Sequence, residues 1–200
     1  MAACERKIGA DWEERASPVP IVVGKTGLAW GRGLFDRGSR PGPVKKEGDN
    51  KAPAGVFPLL SVFGYAPQNP GTKMSYLPLS RNIVAVDDPQ SVHYNQMVDR
   101  TKVRKIDWRT AENMILRDNR YKWGVFVAHN LPPKPGAGSC IFLHVWKTPG
   151  TLTTGCTATA ENDLLTIIRW LNPAKRPLLI QLPAHIYNEV REEWKLPKLM

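Results

Sequence analysis

The stretch CIFLHVWKTPGTLTTGCTAT, residues 140–159, joins a strand-like segment to a loop that ends in a cysteine. Over residues 139–146, SCIFLHVW, side chains of two kinds alternate, which is the period of a β-strand. One face carries Cys140, Phe142, His144 and Trp146. The other face is uniformly aliphatic, with Ile141, Leu143 and Val145. The aliphatic face is therefore predicted to be the core face, and His144 to point towards a cleft or solvent.

Further strand-like segments recur outward from this stretch, separated by turns rich in Gly and Pro. β-branched or aliphatic runs predict strands at 18–24, 55–65, 82–88, 122–130 and 176–183. Because Pro58 cannot donate within a ladder, 55–65 is predicted to be either a strand pair or one bent strand. The polar segment SVHYNQMVDR, 91–100, is predicted to form a short helix.

One amphipathic helix is predicted from Ala160 to Leu171, where Leu164, Ile167, Ile168 and Leu171 repeat at helical spacing. Thr159 is its predicted N-cap, and Asn172-Pro173 ends it. A second helix is predicted at 185–194. The fold expected is mainly β, a compact sandwich or barrel with a few packed helices. Since no linker is evident, we expect a single domain over 18–200, preceded by an N-terminal tail at 1–17.

The chain is basic, with 28 Lys and Arg against 18 Asp and Glu, for a formal charge of +10. Such a surface attracts polyanions. The basic residues are scattered, however, and the densest cluster, KVRKIDWR at 102–109, includes an acid. No nucleic-acid-binding pattern accompanies them, so no nucleic-acid partner is expected. No run of eighteen apolar residues occurs, so no transmembrane segment is predicted.

The three cysteines are Cys4, Cys140 and Cys156, an odd number that leaves at least one thiol unpaired within the chain. Neither these nor the four histidines show zinc-ligand spacing, so no metal or cofactor is expected. The N-terminus lacks a signal-peptide pattern, which leaves a cytoplasmic protein or a leader outside this sequence. Its Met-Ala-Ala-Cys start resembles the end of a lipoprotein signal, with Cys4 as the lipidated residue, although the preceding apolar segment is absent.

Cys156 and His144 are the candidate nucleophile and base. A thiol just before the helix predicted near Ala160 would lie at the positive end of the helix dipole, which favours the thiolate. Gly155 leaves the backbone accessible, so its N–H or that of Cys156 is a candidate oxyanion donor. The alternative is that Cys156 is a small buried residue at a turn. The spacing of His and Cys alone does not decide between the two.

Two motifs bear on this choice. His144 followed by a loop and Thr153-Thr154-Gly155-Cys156 resembles the signature of L,D-transpeptidases of the YkuD/ErfK family, in which a histidine precedes Ser/Thr-x-Gly-Cys. The segment 52–57, APAGVF, resembles the family's TPxGxF motif, with Ala52 in place of threonine. The resemblance extends from about Pro20 to Pro183.

The resemblance implies a YkuD-like domain in which His144 deprotonates Cys156. The thiolate attacks a peptidoglycan stem tetrapeptide and releases its terminal D-alanine. It further implies that a backbone carbonyl orients the histidine, with Val145 a candidate by position. Thr153 and Thr154 are expected to line the loop, and Trp146 to form a cleft wall or be a structural aromatic. His129 is a candidate second site histidine, with a structural role as the alternative.

The sequence departs from the family pattern at several positions. His144-Val145-Trp146 replaces His-Gly-Thr, the His-to-Cys loop is short, and Ala158 stands where an arginine is usual. A divergent branch is therefore indicated. Water as the acceptor would make the protein an L,D-carboxypeptidase, and loss of turnover would make it a peptidoglycan-binding module. In the family reading the protein is a monomer located in the periplasm or cell envelope.

Overall fold

The computed structural model describes residues 1–6 and 11–198. The chain is mainly β, as predicted. Its strands are β1 (Ala3–Glu5), β2 (Glu13–Ala16), β3 (Ile21–Val22), β4 (Leu28–Trp30), β5 (Ala52–Gly64), β6 (Tyr76–Pro78), β7 (Ile83–Val86), β8 (Gln96–Asp99), β9 (Ala111–Asn113), β10 (Trp123–Val127), β11 (Phe142–Val145), β12 (Thr157–Thr159) and β13 (Leu178–Gln181). Its helices are α1 (Glu161–Trp170), α2 (Ala184–Val190) and a 3₁₀ turn (Pro173–Lys175).

The main sheet has eight strands, in the order β13-β5-β10-β11-β12-β3, with β4 and β6 also paired to β5. It is open, so the fold is sandwich-like and does not form a closed barrel. The prolines at 53 and 58 do not divide β5, which is one strand of 13 residues. This long strand pairs with four neighbours and is the scaffold for the others.

Strand β11 lies between an antiparallel neighbour, β10, and a parallel neighbour, β12. In the parallel pair Leu143 lies opposite Thr157 and His144 opposite Ala158. In the antiparallel pair His144 lies opposite Gly124. The loop that returns from β11 to β12 carries Cys156, so the strand pairing brings the cysteine back beside the strand of the histidine.

Both faces of β11 are covered. The aliphatic face, Ile141, Leu143 and Val145, packs against α1, which confirms it as a core face. The helix buries Leu164 and Ile168 there. The opposite face packs into a second cluster that contains Phe63, Tyr121, Phe126, Cys140 and Phe142. We call this second cluster the aromatic cluster.

A separate three-stranded sheet, β8-β7-β9, lies beside the main sheet. Ile83 and Ala85 of β7 join the aromatic cluster, which attaches the small sheet to the main one. Near the C-terminus, α2 packs with β4 and β5 in a third cluster that includes Trp30, Val56 and Val190.

Several predicted elements differ in the structure. The predicted helix at 91–100 is wrong, since 96–99 is strand β8 of the small sheet. The helix predicted at 185–194 ends at Val190, and 191–195 is a turn. Residues 1–17, predicted as a tail, contain paired strands β1 and β2. Cys4 lies in β1 and is half-buried.

Candidate active site

Cys156 and His144 both border the aromatic cluster. His144 lies on β11 with its ring against Tyr121 of that cluster, and Cys156, in the bend just before β12, packs against the same cluster. The Cys156 thiol sits beside the strand that bears the histidine, since the backbone N–H of Phe142 donates to its Sγ at 3.3 Å.

A backbone hydrogen bond fixes the tautomer of His144. Its Nδ1 lies 2.7 Å from the carbonyl oxygen of Val145, the residue expected from the resemblance. A carbonyl oxygen only accepts, so Nδ1 carries the proton and Nε2 keeps a lone pair. The imidazole can therefore take a proton at Nε2.

His144 is more buried than predicted, with 5% of its surface exposed. It does point away from the aliphatic core, but Tyr121 packs against it instead of solvent, with ring centroids 5.4 Å apart. Cys156 is less buried and retains part of its exposure. Its side chain packs against the aromatic cluster.

Both groups are neutral in the resting protein. Burial lowers the pKa of His144 to about 4, against the opposing effect of the Val145 hydrogen bond. Burial also raises the pKa of Cys156 to about 12. The Phe142 N–H, Lys45 and Arg120 partly offset this increase, and Glu112 adds to it. Ionisation of the thiol at neutral pH thus requires a nearby base.

The turn before Cys156 is held by Thr153. Its Oγ1 donates to the carbonyl of Cys156 at 2.5 Å and accepts from the N–H of Gly155 at 3.2 Å. Gly155 has a φ of +150°, a conformation that strongly favours glycine. Thr154 is exposed at the tip of this turn. Since Thr153 occupies the Gly155 amide, the Cys156 amide is the better candidate of the two predicted oxyanion donors.

The predicted helix-dipole contribution is not supported, because strand β12 separates Cys156 from α1. The helix begins at Glu161, five residues after the cysteine. Its N-cap is Ala160 and not Thr159, whose hydroxyl instead donates to the carbonyl of Pro20. The electrostatic support for a thiolate comes from the groups around the sulfur.

His129 follows the end of β10, whereas His144 lies opposite Gly124 near the start of that strand. Its Nδ1 accepts from the Arg32 N–H and its Nε2 faces the carbonyl oxygen of Ala137 at 3.0 Å. With both ring nitrogens bonded to backbone, His129 has the structural role that was the alternative.

Trp146 and Cys140 flank the site along the chain. Trp146 follows β11, is half-buried and donates its backbone N–H to Thr159. Cys140 is buried, with its Sγ 3.5 Å from the carbonyl oxygen of Val86. Burial raises the pKa of Cys140 well above the ordinary thiol value. Of the two thiols, Cys156 is the more accessible.

Three residues near the pair were not foreseen from the sequence. Tyr121 packs against His144, and its hydroxyl donates to Glu112 of β9 at 2.9 Å. Lys45 is buried and paired with Asp49, with Nζ 2.5 Å from the carboxylate. That Nζ lies 4.0 Å from where a Cβ on Gly155 would be. No local sequence pattern indicates them, because all three approach the site from distant parts of the chain.

Two clefts open elsewhere on the surface. One, of about 450 Å³, is lined by Arg81, Asn113, Ile115, Leu116 and Arg117. The other, of about 290 Å³, has basic residues in its lining: Arg32, Lys45 and Lys134. Neither lining includes Cys156 or His144. Lys45, which lines the smaller cleft and approaches Gly155, connects it to the cysteine loop.

Comparison of the chain with models of protein families, with curated proteins and with solved structures found no match. Within the described residues, no helix has the length and apolar character needed to cross a membrane. In the same part of the chain, no group of three or more His, Cys, Asp or Glu side chains could hold a metal ion.

Proposed function

We propose that this protein is a cysteine acyltransferase of the L,D-transpeptidase type, acting on peptidoglycan stem peptides. The observation that carries the proposal is that Cys156 packs against the aromatic cluster that also contacts His144, while the Nδ1–H of His144 is bound to Val145. In this proposal Nε2 of His144 is the base for the thiol. The family resemblance of the 153–156 and 52–57 motifs supplies the substrate class.

In the proposed reaction the Cys156 proton moves to Nε2 of His144 as the sulfur attacks the carbonyl carbon of the penultimate stem residue. The amide C–N bond breaks, and the imidazolium returns the proton to the departing D-alanine amine. A thioester on Cys156 remains. An amine of a second stem then displaces the sulfur, which forms the cross-link and restores the thiol.

The groups around the sulfur support this chemistry. The N–H of Phe142 and the positive charges of Lys45 and Arg120 favour the anionic sulfur over the neutral thiol. The amide of Cys156 is the donor proposed for the oxyanion of the tetrahedral intermediate. The backbone at Gly155 carries no side chain that would obstruct it.

The basic cleft suits the proposed substrate. Stem peptides carry free carboxylates, and Arg32 and Lys134 at the cleft are exposed cations. Lys45 connects this cleft with the Gly155 turn. We propose that a stem carboxylate binds there while the scissile amide reaches the sulfur. The cell envelope is the proposed location, because that is where this substrate is found.

A defined disaccharide-tetrapeptide, analysed by mass spectrometry after incubation, tests the proposal. Release of D-alanine by the wild type and not by Cys156→Ser supports it. A cross-linked dimer identifies a transpeptidase, whereas the tripeptide alone identifies the carboxypeptidase alternative. Binding of the tetrapeptide without release of D-alanine would overturn the enzymatic proposal in favour of the binding module.

A further inference from the structure

The ring of Tyr121 is enclosed by three other rings. Their centroids lie 5.4 Å away for His144, 5.6 Å for Phe142 and 6.0 Å for Phe63, and each is close to perpendicular to it. Only 4% of Tyr121 is exposed. Rings packed in this way restrict one another's rotation, since each edge-to-face contact has a preferred geometry. The plane of the His144 ring is therefore constrained by Tyr121.

The hydroxyl of Tyr121 is tied to a different sheet. It donates to Oε1 of Glu112 at 2.9 Å, and Glu112 lies in β9 of the three-stranded sheet. Burial raises the pKa of Glu112, while the bond from Tyr121 opposes that rise. The hydrogen bond thus links Tyr121 to the three-stranded sheet.

We propose that Tyr121, anchored through its hydroxyl by Glu112, is a positioning residue that holds the His144 imidazole ready to accept the Cys156 proton. The Val145 bond fixes one nitrogen of the ring, but the ring can still rock about that bond. The contact with Tyr121 removes this freedom and, in this proposal, keeps Nε2 available to Cys156. This inference rests on the proposed function for its role in turnover, although the positioning itself does not require a substrate.

The effect of nearby charges on Cys156 and His144 must be distinguished from the effect of ring positioning by Tyr121. The charges of Glu112, Lys45 and Arg120 contribute to the pKa of Cys156. The charges of Arg120 and Asp118 contribute to the pKa of His144. Tyr121 itself stays neutral, because burial raises its pKa well above the ordinary value.

Glu112→Gln removes the negative charge and keeps an oxygen that accepts from Tyr121. Because the charge of Glu112 raises the pKa of Cys156, this variant lowers that pKa and speeds alkylation. Tyr121→Phe keeps the ring and removes its anchor. Loss of the Tyr121 hydrogen bond favours the neutral form of Glu112. A neutral Glu112 would also speed the alkylation of Cys156. A slower reaction in Tyr121→Phe therefore has positioning as its cause.

Two measurements on the folded chain test the proposal. The rate of iodoacetamide alkylation, followed by mass spectrometry at the Cys156 peptide from pH 5 to 9, reports proton acceptance by His144. Imidazole nitrogen shifts by NMR report its tautomer. In Tyr121→Phe we expect alkylation at neutral pH to slow about ten-fold and the Nδ1–H form to become a mixture. In Glu112→Gln we expect faster alkylation with the tautomer kept.

Tyr76→Phe is the matched control, because the Tyr76 hydroxyl bonds to the carbonyl of Ala66 away from this site. It should leave both readouts at the wild-type value. Wild-type alkylation and tautomer in a folded Tyr121→Phe protein would overturn the proposal. So would equal slowing in Tyr121→Phe and Tyr76→Phe. If the wild type released no D-alanine from a tetrapeptide, the proposed function would fail while these two readouts still decided the positioning role.

Discussion

The backbone N–H of Phe142 donates to the sulfur of Cys156 across 3.3 Å, from the strand that also carries His144. A donor at that distance stabilises a sulfur anion more than a thiol, and it lowers the pKa of Cys156 against the effect of burial. Because the donor is a backbone N–H, every substitution at 142 except proline keeps it. The sulfur is thus held in register with β11.

A carbapenem should acylate Cys156 alone. Cys156 is the proposed nucleophile and packs against the cluster that also contacts His144, whereas Cys140 is buried and Cys4 lies in β1. Intact-protein mass spectrometry followed by peptide mapping should place the single adduct on Cys156. Cys140→Ala should still be labelled and Cys156→Ala should not. An adduct on Cys4 or Cys140 in the wild type contradicts the assignment of the nucleophile.

Replacing His144 should abolish turnover without unfolding the protein. His144→Gln keeps a polar side chain of similar size beside Val145 but offers no basic nitrogen, so D-alanine release should fall by about 10²- to 10⁴-fold. Circular dichroism and thermal unfolding should show a folded chain. A His144→Gln protein that is folded and fully active would contradict the role of base, and His129→Gln should affect stability more than rate.

Stability should decline in acid because two histidines are buried in the neutral form. Burial lowers the pKa of both His129 and His144 from 6.5 to about 4. The unfolded chain therefore binds protons first as the pH falls, and each histidine contributes stability that is present above pH 6.5 and lost as the pH falls to 4. The full loss is about 3 kcal/mol for each group.

Denaturant unfolding at several pH values checks this expectation. His144→Gln and His129→Gln should each remove part of the slope between pH 6.5 and 4. Asn188→Gln, an exposed and non-titrating change on α2, is the control and should leave the slope unchanged. A wild-type protein with a flat profile over this range would show that the histidines are not buried as neutral groups.

Gly155→Ala should impair both stability and Cys156 reactivity. At φ +150° a Cβ is strained, and it would lie 3.4 Å from the carbonyl oxygen of Lys51. We expect a loss of about 1–3 kcal/mol and slower alkylation of the displaced thiol. Gly150→Ala is the control, with a positive φ but open space around its Cβ. It should lose some stability and retain wild-type alkylation of Cys156.

Lys134→Ala should weaken substrate binding more than chemistry. If the basic cleft binds a stem carboxylate before and during reaction, removing one cation raises KM about ten-fold with kcat nearly unchanged. Steady-state kinetics with the tetrapeptide measure both constants. Lys102→Ala, a change to an exposed lysine distant in sequence, should alter neither. A kcat loss with KM unchanged would show that the cleft is not a binding site.

The elements set by local sequence patterns could be predicted from the sequence. Alternation along 139–146 identified the aliphatic core face, and helical spacing located α1 within a residue at each end. The segment 91–100 was misread as helix because its strand, β8, is short and is stabilised by pairing with β7, a tertiary contact that single-sequence patterns do not contain. The same limitation hid β9 within the polar segment before Tyr121.

The residues of the candidate site could be predicted only where they are close together in the sequence. His144, Val145 and the 153–156 turn belong to one segment, and their mutual placement follows from β11 and β12 pairing in parallel. Tyr121, Glu112 and Lys45 reach the same place through other strands and loops. The expectation that the dipole of α1 would act on Cys156 failed for a related reason. The three residues of β12, which separate the cysteine from the helix, were not recognised as a strand.

Glu112 approaches the site from the three-stranded sheet, whereas Cys156 and His144 belong to the main sheet and its return loop. The small sheet therefore reaches the candidate pair through one residue, which bears on the acidity of the thiol and, in our proposal, on the orientation of the imidazole through Tyr121. A substitution at 112 that removes both the charge and the acceptor oxygen should accordingly change both properties together.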